Sequence, residues 1–191
     1  MTGIGAVRDF DSEYKEIYAI NLQKDRKAAL LVNGLALLIA AAMIVLMNLF
    51  VPLATLWREN NSLIKCLVFL VSLVAYTFLH ELVHGIAMKA FGTKKVKFGF
   101  TGMYAFACSD DYYNKKSYIV IALAPVVVFL FILGLINAFV PTSWFWVVYF
   151  LQVYNISGAA GDLFVTVKFA KMPEDILVKD SGVGMVVYSR K

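Results

Sequence analysis

Apolar residues dominate four stretches of the chain, about 28 to 51, 63 to 87, 118 to 140 and 144 to 167, and polar residues gather between and outside them. A membrane-spanning helix needs roughly 20 predominantly apolar residues, so each stretch predicts one span. The first is longer than the apolar part of a secretory signal and follows Lys24, Arg26 and Lys27, which predicts a retained span rather than a cleaved peptide.

The flanking segments have other rhythms. Residues 7 to 27 carry five positive and five negative side chains, with Phe10, Tyr14, Ile17 and Tyr18 at helical spacing, and predict an amphipathic lead-in helix. In the central loop, KVKFGF alternates its apolar side chains and is followed by Thr101 and Gly102, predicting a short hairpin over 96 to 106. The tail holds a strand-like GMVVY after a Ser-Gly turn signal. The expected fold is therefore an all-α integral membrane protein of four helices, with a β-hairpin in the central loop and a small C-terminal tail. It divides into a lead-in at 1–27, a four-helix domain at 28–167 and a tail at 168–191.

Composition and charge sharpen this picture. Hydrophobic residues make up 61% and charged residues 16%, with a mean hydropathy of +0.73, far from the balance of a soluble domain. Lys and Arg number five before the first span, six over residues 88 to 117 and five after the last span, whereas the other two connections carry only Arg58 and Lys65. Cytoplasmic loops are the ones enriched in Lys and Arg, so both termini and the central loop are expected in the cytoplasm of a multi-pass protein of the cell membrane. The net charge of +5 then reports topology and not nucleic-acid binding. Cys66 and Cys108 fall on opposite sides of the bilayer and are expected to be free thiols.

Both histidines of the chain lie in FLHELVHGIAMKAFG, residues 78 to 92. HELVH fits the H-E-x-x-H pattern, in which residues i and i+4 share one helix face. His80 and His84 can then bind one zinc ion while Glu81 reaches a water on that ion. A catalytic site needs a third protein ligand. Of the 13 acidic residues only Glu81 and Asp162 fall inside predicted spans, where a charge costs on the order of 2.5–3.5 kcal/mol and marks a functional position. His80 is 17 positions after Leu63 and Asp162 is 18 after Trp144. At 1.5 Å per residue both lie roughly 26 Å down from the outer side, at one level. Asn155, two turns before Asp162 on the same face, is a candidate for substrate binding or for an interhelical hydrogen bond. SGAAGD, residues 157 to 162, supplies small residues for close helix approach, and Gly161 can loosen the helix before Asp162.

HELVHG, ALAP at 122 to 125 and NISGAAGDL at 155 to 163 together resemble the layout of the intramembrane site-2 metalloproteases. More closely, the chain from about residue 63 onward is similar to a bacterial family of unknown function described as zincin peptidases. The resemblance implies zinc ligation by His80, His84 and Asp162, with Glu81 as general base. It also implies a substrate bound as an added strand, a role for which the hairpin with Phe98 and Phe100 is the candidate. The chain departs from the site-2 pattern in having Leu163 after Asp162 and no proline between Asn155 and Asp162.

The expected function is thus a membrane-embedded zinc metallopeptidase acting on a membrane-protein or peptide substrate near the cytoplasmic face. The competing expectation is a catalytically silent membrane scaffold with a structural metal. A carrier for ions is less favoured, because the chain has no internal repeat and few further polar residues in its spans.

Overall fold

The structure is a computed structural model that describes residues 5–8, 11–21, 24–59, 61–102, 105–182 and 184–190. Its elements, in order, are strands β1 (Ala6–Val7) and β2 (Lys15–Asn21), helix α1 (Arg26–Asn48), a 3-10 turn (Leu53–Trp57) and helix α2 (Ser62–Ala90). Strands β3 (Val96–Phe100), β4 (Ala105–Ser109) and β5 (Tyr112–Asn114) follow, then helices α3 (Lys115–Phe139), α4 (Thr142–Gly158) and α5 (Ala160–Ala170), and finally β6 (Leu177–Asp180) and β7 (Gly184–Ser189).

Local chemistry sets several of these boundaries. Asp25 Oδ1 accepts from the backbone N–H groups of Lys27 and Ala28 at 3.1 Å each, capping α1. Asn114 Oδ1 does the same for Ser117 at the start of α3, at 2.9 Å. α2 closes in a Schellman arrangement: Thr93 N donates to the Met88 carbonyl, Gly92 N donates to the Lys89 carbonyl, and Gly92 takes the left-handed φ of 93° that this end requires.

Among the described residues three helices, α1, α2 and α3, are long and apolar enough to cross a membrane. The expected fourth span is instead divided at Ala159 (φ −82°, ψ 17°) into α4 and α5. Gly158 and Gly161 flank the break, and glycine is among the weakest helix formers.

The all-α expectation is corrected by a five-stranded antiparallel sheet in the order β1-β5-β6-β7-β2, beside the separate β3-β4 hairpin. The lead-in is likewise not a helix. Residues 15–21 form β2, paired antiparallel with β7 with an irregularity between Glu16 and Tyr18, and Tyr18 and Ile20 turn inward at the two-residue period of a strand. Phe10, which shaped the helical reading, lies outside the described residues. The local 3.6-residue pattern was outweighed by a partner strand more than 160 positions away, which the sequence pattern of one segment does not reveal. The hairpin expected near 96 to 106 is present as β3-β4, with Phe98 opposite Ala107, and GMVVY lies within β7.

The residues form two compact units. One, comprising 1–30, 80–125 and 162–191, holds the sheet and hairpin around a core of Tyr113, Phe169, Ile176, Val178 and Val187, all fully buried. The Tyr113 hydroxyl is satisfied inside that core by Thr93 at 2.6 Å and Ser109 at 2.7 Å. The other, comprising 31–79 and 126–161, has Trp146, Tyr149 and Val153 packed against Met43, Met47 and Leu56. The indole N–H of Trp146 donates to the Pro52 carbonyl at 3.3 Å.

Candidate metal centre

His80 and His84 stand one turn apart on α2, their ring centroids 4.9 Å apart. Asp162 lies in the first turn of α5, so the break at Ala159 gives the carboxylate a helix N-terminus, where the partial positive charge of free N–H groups favours it. Its Oδ2 is 3.5 Å from Nε2 of His80 and 3.8 Å from Nε2 of His84. One donor atom from each of the three residues falls within 4.8 Å of the others.

Those separations are long for a charge-assisted N–H···O bond, which runs to about 2.7–2.9 Å. Ligand atoms bound about 2.0–2.1 Å from one tetrahedral zinc stand about 3.3 Å from each other. Two imidazoles and a carboxylate spaced slightly wider than this suit a shared divalent cation better than direct hydrogen bonds. Zinc accepts this donor set, with a fourth position left for water or substrate.

The other side chains fix the orientation. His84 Nδ1 lies 2.9 Å from the Ile121 carbonyl; a carbonyl only accepts, so Nδ1 carries a proton, and Nε2, on the side of Asp162, is the nitrogen left to bind a metal. The Glu81 carboxylate accepts a hydrogen bond from the Ala107 backbone N–H of β4, and His84 and Asp162 are its electrostatic neighbours. The hairpin reaches α2 because residue 85 is glycine: a Cβ there would stand 2.6 Å from Cζ of Phe98 and 3.3 Å from Cγ1 of Val96.

The remaining candidates have definite places. Phe98 and Phe100 are 55% and 67% exposed on β3. Asn155 is fully buried, its Oδ1 accepting from the Tyr76 hydroxyl at 2.8 Å and its Nδ2 donating to the Val126 carbonyl at 3.1 Å. Its amide is thus engaged at both ends in packing among α2, α3 and α4. Cys66 and Cys108 are both free thiols.

Sequence reasoning missed Tyr118 and Asp180. Tyr118 donates to Asp180 Oδ2 at 2.6 Å, and Gly182 N donates to Oδ1 at 2.7 Å. Burial holds the Asp180 carboxyl above the usual carboxylate range despite these donors, and His84 and Asp162 act on it electrostatically. The Ser-Gly turn signal foretold the β6-β7 turn, but nothing local tied residue 180 to residues 80 to 84.

A chain with a helical His-Glu-x-x-His and a distant aspartate meeting the two imidazoles has the ligand geometry of the zincin class. The chain belongs to the family described as "Putative zincin peptidase", which matches it over residues 73–177, a range that includes His80, Glu81, His84 and Asp162. This membership points to a zinc metallopeptidase. The chain is also similar to the "Uncharacterized 24.7 kDa protein in gap 5'region" of Pyrococcus woesei, at 31% identity over 116 residues, or 58% of this chain. It spans half the length of that relative. No solved structure matches the chain.

Proposed function

We propose that the protein is a membrane-embedded metallopeptidase of the site-2 type, hydrolysing a peptide bond of a membrane-protein or peptide substrate near the cytoplasmic face. The observation that carries this reading is the convergence of His80, His84 and Asp162 within 4.8 Å, with Glu81 adjoining the first ligand. These three residues would hold zinc, which would supply a Lewis acid for a scissile carbonyl and for a water.

The chain's own groups do the rest. Glu81 removes a proton from the attacking water and delivers it to the leaving amine nitrogen, and the Ala107 N–H keeps its carboxylate turned to that task. A helical substrate has its carbonyl groups tied in hydrogen bonds, so its scissile segment must unwind. An extended segment can then pair with the β3-β4 hairpin, where Phe98 and Phe100 offer apolar contacts.

Membrane embedding is supported by the large apolar side chains that α1, α2 and α3 expose, among them Leu37 (73%), Val71 (69%) and Phe131 (72%). Such continuous apolar surface is unfavourable in water. The sheet supports the proposed topology: β2, β5 and β7 come from the N-terminal, central and C-terminal segments, and strands of one sheet lie on one side of a bilayer. The Lys and Arg bias makes that side the cytoplasm.

The test is Glu81→Gln in the full chain, purified in detergent. It should keep its zinc and lose peptidase activity by about 10²- to 10⁴-fold. Undiminished cleavage would refute the assignment.

A further inference from the structure

The third helix carries Pro125 in its interior. In a regular α-helix the N–H of residue 125 occupies the carbonyl of residue 121, four positions earlier. Proline has no N–H, and its ring pushes that same carbonyl aside. The carbonyl so released is that of Ile121, the group that lies 2.9 Å from His84 Nδ1.

Burial removes solvent as an alternative. Ile121 is 2% exposed and Pro125 is fully buried, so solvent is a poor partner for the freed oxygen, and an orphaned buried carbonyl is costly. The imidazole N–H meets that need, and in doing so it commits the other ring nitrogen to the side of Asp162, at 3.8 Å.

We propose that Pro125 is a positioning residue for the metal centre: by deleting one backbone N–H it leaves the Ile121 carbonyl to His84, fixing that ligand's tautomer and ring orientation. The inference rests on the metallopeptidase reading for its consequence, but the tautomer is a property of the chain itself. A proline that served only to bend the helix for packing would leave the His84 ring indifferent to whether residue 125 carries an N–H.

The experiment compares three forms of the full chain in detergent: wild type, Pro125→Ala, and a form in which Pro125 is replaced by lactic acid, the hydroxy-acid analogue of alanine. The last two have the same side chain and differ in the backbone N–H, which an ester oxygen replaces. Zinc affinity is read by competition with a chromogenic chelator, and the His84 tautomer by ¹⁵N NMR of the metal-free protein at a pH alkaline enough to leave the ring neutral. Pro125→Ala should weaken zinc binding by about 10- to 100-fold, the usual effect of losing an outer-shell partner, and should mix the two tautomers. The lactic acid form should retain wild-type affinity and a single Nδ1–H tautomer. Wild-type tautomer and affinity in Pro125→Ala would overturn the proposal, as would an equal loss in both substituted forms, which would assign the effect to the ring. If the wild type binds no zinc, the metallopeptidase reading fails, and the tautomer comparison still decides the role of Pro125.

Discussion

Tyr118 donates its hydroxyl hydrogen to Asp180 over 2.6 Å, tying the first turns of α3 to the last residue of β6. The carboxylate's other oxygen takes the Gly182 N–H, so the pair also shapes the β6-β7 turn. Removing the donor with Tyr118→Phe leaves a buried carboxyl short of one partner and should cost about 1–3 kcal/mol, measured as a shift in the urea midpoint.

The pH dependence of the same pair has a definite sign. Burial, the larger cause, raises the folded-state pKa of Asp180, while Tyr118 and Gly182 lower it. A raised value means that the folded state favours the protonated form. The contribution is fully present below the ordinary aspartate pKa of about 3.9 and is lost as pH rises through the folded value. Asp180→Asn cannot titrate, so its stability relative to wild type should increase as pH rises from below that ordinary value toward neutrality. A flat difference across this range counts against the assignment.

Loss of a metal ligand should exceed the effect of losing a partner of a ligand. Asp162→Ala removes the carboxylate 3.5 Å from His80 and should weaken zinc binding by more than the roughly 100-fold upper range for outer-shell changes. Metal analysis after dialysis against a chelator measures this; full retention of zinc would remove Asp162 from the site.

Gly85 lets the hairpin lie against α2. Gly85→Val puts side-chain atoms where the Phe98 ring now lies; a hairpin displaced to make room carries with it the β4 amide that hydrogen-bonds Glu81. A hydrogen bond to a charged group is worth about 1.5–3 kcal/mol. Turnover should accordingly fall about tenfold or more while zinc content stays at the wild-type level.

Gly182 has a φ of +86°, and a Cβ there would collide with the Phe106 ring. Gly182→Ala should therefore cost about 1–2 kcal/mol for the left-handed backbone alone, with the displacement of Phe106 added to it. Chemical denaturation at one pH gives the number.

The proposed orientation predicts reporter activity. A green fluorescent protein fused after Lys191 should fluoresce and an alkaline phosphatase fused there should be inactive, because the tail is placed in the cytoplasm by its Lys and Arg residues. The reverse pattern would invert the topology.

Much of the candidate metal centre was legible because two of its residues obey short-range geometry. His80 and His84 are four positions apart, and helical periodicity alone puts them on one face. Asp162 was conspicuous because a carboxylate amid apolar residues is expensive. By contrast, Asp180 sits in a tail where acidic residues are common, and the Ala107 N–H has no side-chain signature at all.

By itself, then, the sequence determined the three long apolar helices, the hairpin at β3-β4 and the identity of the three converging side chains, since each follows from local periodicity or from the cost of a misplaced charge. Only the tertiary structure decided that residues 15–21 are a strand, because the pairing of β2 with β7 joins the two ends of the chain and competes directly with the local helical pattern. It likewise decided where the fourth apolar stretch breaks, which carbonyl receives His84 and which amide holds Glu81. Backbone hydrogen bonds between distant segments carry no residue code, and so they appear only once the segments meet.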